Sequence, residues 1–426
     1  MLNNNFKQKL GKLNVAGLKK YGINTSWILF ARISMMLISF ISTLYIARSL
    51  GPSNYGEIGY AISFVALFSF IASFGIDSVL YRELIKYPEQ KNSILGSALA
   101  IRLTASLIAL TASISTAFFF STNDVSFILI ILLSTGFLFQ SFGIINYEFS
   151  AAVNARGISL LSILITLILN ILKITVIYFG NGVIYLALIL LLESILYAAG
   201  YIYLRLMTFG SIFNWTFSLS ISKRIILDSW PFIFTAAFTL IYSRIDQVMI
   251  KHFLDSSSVG IYDAAVRLSE LWYFIPTIII TSLFPAIINA KKHSFNQYRK
   301  RLFFLLLLIL AITVVISIPI SYLSQPIVSL VFGSDFIQAA TVLNIYIWAF
   351  IPISIIVLFN HILLAENART ILFCSSLLGM TTNVVGNYLL IPHFQAVGAA
   401  IATLISSTAI VLILLVIFSY KYFVRQ

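Results

Sequence analysis

Charge is scarce in this chain. Of its 426 residues, 10% are Asp, Glu, Lys or Arg and 60% are hydrophobic. A soluble domain carries roughly 25% charged and 45–50% apolar residues, and some surface always faces outward whatever the size. A chain this apolar cannot hide itself from water, so its solvent is lipid. Cysteine is nearly absent. The only one, Cys374, excludes an internal disulfide and any zinc-type spacing; inside an apolar run it reads as a small packing residue. The four histidines, His252, His293, His361 and His393, are isolated from one another and suit loop or interface positions. No glycine-rich loop precedes Lys and Ser or Thr, which excludes an ATPase site of that kind, and no acid pair occupies a long aqueous loop. The sequence therefore predicts no enzyme, no cofactor and no metal.

Acids are outnumbered, 14 against 27 bases, for a net charge of +13. The bases sit in short loops between apolar runs, where they read as topology signals and contacts to anionic lipid, not to nucleic acid. A cleavable leader is not expected, because the first 24 residues lack an apolar core before a small-residue site. They carry Lys7, Lys9, Lys12, Lys19 and Lys20, with Phe6, Leu10, Leu13 and Leu18 near helical spacing; the expectation is an amphipathic segment lying on the cytoplasmic face.

What the chain has instead is long apolar runs. About 20 such residues span a bilayer as a helix. Twelve runs lie near 25–47, 56–81, 93–120, 125–147, 158–179, 183–206, 229–252, 259–288, 302–324, 338–363, 370–390 and 395–420. They are continuous rather than alternating, which excludes membrane strands. Turn chemistry separates them at Leu50-Gly51-Pro52-Ser53-Asn54, Ser121-Thr122-Asn123-Asp124, Gly180-Asn181-Gly182 and Ile391-Pro392-His393. The tail, the N-terminal segment and the loops on one side hold 20 of the 27 bases, while the opposite loops hold only Arg48 and Lys251. Both termini are therefore expected in the cytoplasm.

The halves echo each other. Leu50-Gly51-Pro52-Ser53-Asn54-Tyr55-Gly56 follows the first run, and Leu254-Asp255-Ser256-Ser257-Ser258-Val259-Gly260 follows the seventh, 204 positions later. The fifth and eleventh runs share an internal Asn (Asn170, Asn383), a tight break and a Gly near the next start (Gly182, Gly398). The expected architecture is an all-α integral membrane protein of about twelve helices in two pseudo-symmetric six-helix lobes around a central cavity. The segments are 1–24 amphipathic, 25–206 N-lobe, 207–227 cytoplasmic linker and 228–426 C-lobe. Parallel repeats of this kind place a substrate site between the halves, near the midplane.

Charges within hydrocarbon face a cavity or a partner. Five bases fall within runs: Arg32, Arg102, Lys173, Arg244 and Arg267. Arg267 has Asp263 and Glu270 on its own helix face. The first, third and fifth runs contain no acid, so Arg32, Arg102 and Lys173 need a partner on another helix, water or an anionic ligand. At about 1.5 Å per residue, Arg32 and Arg102 stand roughly 10–13 Å from the cytoplasmic side and Lys173 and Arg244 roughly 20 Å. Asp77, Glu193, Asp246 and Glu270 are candidates for charge balance or for binding a coupling ion.

The run Ala47-Arg48-Ser49-Leu50-Gly51-Pro52-Ser53-Asn54-Tyr55-Gly56, with Phe74-Gly75-Ile76-Asp77 and Arg82-Glu83-Leu84, resembles the first-to-second helix signature of bacterial O-antigen and polysaccharide flippases. These belong to the multidrug/oligosaccharidyl-lipid/polysaccharide exporter superfamily. Ser243-Arg244-Ile245-Asp246-Gln247-Val248-Met249-Ile250, Gly260-Ile261-Tyr262 and Asn387-Tyr388-Leu389-Leu390-Ile391-Pro392 extend the resemblance over about 25–420. It implies alternating access in a bacterial inner membrane, moving undecaprenyl-diphosphate-linked oligosaccharide from the cytoplasmic to the periplasmic leaflet, with a polysaccharide polymerase and chain-length regulator as partners. Diphosphate suits Arg and Lys in a low-dielectric cavity. Two rivals are a multidrug or cation exporter of the same superfamily, which would favour acids in the N-lobe, and an O-antigen polymerase or ligase, which would carry a large periplasmic loop.

Overall fold

The computed structural model describes residues 15–120, 123–366 and 368–419. Most of the expected amphipathic segment 1–24, and Lys421 and Arg425 of the tail, lie outside them. Among the described residues there are helices and turns but no strand.

Among the described residues, twelve long helical elements follow the twelve apolar runs. α1 (15–50) and α2 (52–66) form one rod from Val15 to Ala66, broken at Gly51 (φ 70°, ψ 171°) with Pro52 just beyond. Only glycine takes that backbone cheaply, and proline suits the first position of the helix that follows. α2 then resumes as Ser69–Ser73 and Asp77–Lys86. Phe74 and Gly75 both have positive φ, which stops the middle piece, and Asp77 opens the last one with an acid in its first turn.

The rest of the first lobe is α3 (Lys91–Phe120), α4 (Asp124–Ala151, tightened at Ser141–Gly143), α5 (Arg156–Tyr178) and α6 (Val183–Phe209). The second lobe is α7 (Leu219–Phe253), α8 (Ser256–Lys291), α9 (Phe295–Tyr322), α10 (Ala339–Ala365), α11 (369–394) and α12 (396–419).

Two boundaries differ from expectation. The linker expected over 207–227 is non-helical only over 210–218 apart from a 3-10 turn, because α6 runs to Phe209 and α7 starts at Leu219. The polar first turns of α7 end the apolar run but not the helix. The last break falls at Gln395 (φ 54°, ψ −139°), not at Ile391-Pro392-His393. Pro392 removes one amide donor, yet helical geometry persists past it. Gly398 then lets α12 lie against α11: a Cβ there would sit 2.4 Å from the Leu390 carbonyl oxygen.

The lobes meet at the end that carries the α1–α2 and α7–α8 turns. Gly56 and Gly260, the two glycines 204 apart, face each other there. A Cβ on Gly56 would stand 1.7 Å from the Ser256 carbonyl oxygen, and one on Gly260 would stand 2.1 Å from that of Pro52. The largest apolar cluster straddles this contact, joining Tyr55 and Ile58 of α2 to Val259 and Tyr262 of α8. At the opposite end the tie is made by the start of α7. Arg82 pairs with Asp228, Arg224 with Glu83 at 2.9 Å, and the linker's Thr216 packs on Gly96 of α3.

Candidate functional site

The breaks in α2 and α4 expose a polar recess inside the first lobe. It encloses about 220 Å³ and is lined by Ser69 and Ser73 of α2, Arg102 and Ser106 of α3, and Gln140 and Ser141 of α4, with Ala72 and Phe137. Arg102 is buried, donates to Asp77, and lies 5.9 Å from the ring of Tyr147. Its Nε is buried with no acceptor, an unmet donor that costs free energy until something accepts from it. The recess shares Ser69, Phe137 and Gln140 with a second cavity of about 550 Å³, which adds Glu193, Ser194, Tyr197 and Tyr201 of α6. Glu193 accepts from Lys173 of α5 at 2.9 Å. The cleft thus combines an arginine, a glutamate held from behind by Lys173, one amide, several serines and two tyrosines. That inventory can hold oxyanions and hydroxyl-rich groups.

A second set of polar groups runs along the seam between lobes. Glu57 accepts from Lys251 at 2.7 Å, from Ser256 at 2.5 Å and from Ser126 at 2.6 Å, so one carboxylate joins α2, α4, α7 and α8. Deeper, Ser63 of α2 bonds to Gln247 of α7, Gln247 donates to Asp263 at 2.8 Å, and Arg267 donates to Asp263 at 2.6 Å.

Next to Gln247, Asp246 turns the other way, into the second lobe. It is 4% exposed. It accepts from Tyr262 at 2.5 Å, from Asn387 at 2.6 Å and from Thr403 at 2.7 Å. Asn387 also bonds Asn383 at 3.0 Å. None of these donors carries charge. A buried carboxylate held only by neutral groups is costly unless a proton or cation joins it.

The five bases singled out from the sequence separate into two groups. Arg102, Lys173 and Arg267 are paired, with Asp77, Glu193 and Asp263 respectively. The first two find their acids on other helices, which sequence alone could not choose. Arg32 and Arg244 make no ion pair among the described residues. Arg32 is exposed on α1, and Arg244 acts electrostatically on Glu270 of α8. Sequence reading missed Ser69, Ser106, Gln140 and Thr403, and met Tyr262 and Asn387 only as parts of the resemblance motifs, with no role assigned. The one available signal was Asn383 and Asn387, four apart and so on one helix face of an apolar run.

Comparison with known proteins agrees with this architecture. The family model described as "Polysaccharide biosynthesis protein" matches residues 22–291. The chain is 30% identical over 179 residues to the probable flippase AglR of Haloferax volcanii, a match spanning 39% of this chain and 36% of that protein, little more than a third of its length. It is 20% identical over 410 residues to the capsular polysaccharide biosynthesis protein CapF of Staphylococcus aureus, covering 95% of this chain and 99% of that one. Among solved structures, the lipid II flippase MurJ in an inward closed conformation superposes with a TM-score of 0.72 at 18% identity, over 94% of this chain and 87% of that chain. A family match over more than half of the chain, on a fold that fits it, makes this multi-pass membrane protein a member of the polysaccharide biosynthesis protein family.

Proposed function

We propose that the protein flips a lipid-linked oligosaccharide across a bacterial inner membrane by alternating access, with both termini cytoplasmic. The observation that carries this reading is the first-lobe cleft. It offers anion-binding and hydroxyl-binding groups within a helical shell whose outside is apolar. A diphosphate would be drawn to the bases, Arg102 with its unused Nε foremost, and Arg32 and Arg244, which lack carboxylate partners among the described residues. The sugars would meet Gln140, Tyr197, Tyr201 and Glu193, while the polyprenyl chain, undecaprenyl in a bacterium, stays in lipid. In this orientation the Gly56–Gly260 contact would form the periplasmic seal between the lobes.

The two lobes would be joined by a cytoplasmic linker whose non-helical part is 210–218. Asp246 is the coupling group. A cation bound there would hold the Asp246 side of α7, and the adjacent Gln247 would pass that position to Ser63 in the other lobe. A polymerase and a chain-length regulator would consume the delivered unit. An exporter of cationic drugs is the weaker reading, because the acids nearest the cleft, Asp77 and Glu193, are both engaged by bases.

The test is complementation of a strain lacking its oligosaccharide flippase, scoring surface polysaccharide and lipid-linked intermediate together. Restored polysaccharide with loss of the intermediate is expected. An intermediate that accumulates on the periplasmic face in cells lacking the protein would place its action after translocation and refute the reading.

A further inference from the structure

A groove on the second lobe is lined by no residue of α1, α2, α7 or α8, the helices of the inter-lobe seam. It lies between α9, α10 and α12 and encloses about 550 Å³. Leu302 and Leu306 form one wall, Leu358 and Ile362 the floor, and Leu415 and Phe418 the other wall. Phe359 meets Phe418 edge to face, with centroids 5.1 Å apart. An apolar trough of this shape on membrane helices fits hydrocarbon chains.

One end differs. Asn296, Arg299 and Lys300 line it, all in the first two turns of α9. The first turn holds no acid, and the start of a helix carries partial positive charge of its own. Arg299, Lys300 and Arg301 therefore add to the dipole instead of opposing it. Arg301 turns aside to the Ala286 carbonyl at 3.0 Å, while Lys300 stays exposed at the groove mouth. No carboxylate is among the lining residues. A phosphate carrying two acyl chains matches both ends of this groove.

We propose that the groove is a binding site for a resident anionic phospholipid of the leaflet in which α9 begins, with its phosphate at Arg299 and Lys300 and an acyl chain between α9 and α12. The lipid-linked substrate is not the occupant, because a headgroup held here would face none of the seam helices. The site is independent of what the seam transports.

The test uses full-length protein in nanodiscs of phosphatidylcholine with and without phosphatidylglycerol, followed by native mass spectrometry of retained lipid and thermal unfolding. Wild-type protein is expected to retain phosphatidylglycerol over phosphatidylcholine roughly tenfold, the size of one charge-assisted contact. R299Q/K300Q should lose that preference, R299K/K300R should keep it, and K300Q alone, at an exposed side chain, should weaken it while unfolding like wild type in phosphatidylcholine. L306W, which fills the trough, should lower retention of either lipid. Equal retention of the two lipids by wild type, undiminished preference in R299Q/K300Q, or displacement of phosphatidylglycerol by an equal amount of a polyprenyl phosphate would each overturn the proposal.

Discussion

Gly56→Ala is the sharpest perturbation the fold offers. One methyl group would be added where a Cβ lies 1.7 Å from the Ser256 carbonyl oxygen and 2.7 Å from the Gly260 amide nitrogen. Both neighbours are backbone, so no side chain can swing away. Carbon and oxygen in ordinary contact stand roughly 3.5 Å apart, so α2 and α8 must separate by more than 1 Å. Overpacking a well-packed site costs about 1–3 kcal/mol, and here that cost falls only on the state in which the lobes touch. The equilibrium should move toward the opened seal by roughly 5–150-fold. The readout is a cysteine at Ser63, just inside the seal, in protein whose Cys374 has been replaced by serine. It should resist an impermeant thiol reagent when Gly56 is present and react when it is alanine, with the protein still abundant in the membrane. Equal protection in both proteins, with export unchanged, would show that the close glycine contact does not hold the lobes together.

Other consequences can be measured alongside it. Asp246→Asn should fold, since the amide keeps the shape, but it should stop ion-dependent export; Asp246→Ala should also lower stability by about 1–3 kcal/mol for each donor left unmet, read by thermal unfolding in detergent. Lys173→Gln and Glu193→Gln should each reduce protein level more than the double substitution does, because each single change strands a charge in a weakly polar site; additive losses would mean that the pair is not coupled. A cysteine at Ser334 should be labelled only from the face opposite the one that labels a cysteine at Ser294, and labelling of both from one face would reverse or break the proposed topology.

Hydropathy and turn chemistry made the membrane helices readable, because lipid imposes one demand on every span: enough apolar length with its backbone bonded internally. The 204-residue echo located Gly56 and Gly260 without revealing that they touch, since sequence repetition implies symmetry, and symmetry alone does not fix the distance from the axis. The division of α2 into three pieces was hidden because 66–76 reads as one apolar run interrupted only by small residues, Ser69, Ser73 and Gly75; Phe74 adopts a left-handed backbone that its residue type does not announce. Arg102 and Lys173 were recognised as needing partners, but the choice of Asp77 and Glu193 depends on helix rotation. The Asp246 cluster draws on α7, α8, α11 and α12, and such convergence has no local signature beyond the Asn383/Asn387 spacing.

The two ends of α7 belong to different neighbourhoods. Its first turns are fastened to the first lobe through Asp228 and Arg224, and the strand of chain before it through the mutual hydrogen bonds of Ser97 and Ser218 at 3.1 and 3.2 Å. Its later turns are fastened to the second lobe through Asp246 and reach the first lobe only across the seam, through Gln247 and Lys251. A rotation of one lobe against the other must therefore twist or bend this 35-residue helix somewhere between, or tear one anchorage loose. In the proposed cycle α7 would act as a torsion bar, and its stiffness would be a kinetic setting. Residues around 229–243 that touch neither cargo nor ion would tune the turnover rate, and a substitution there could change speed without changing what is carried.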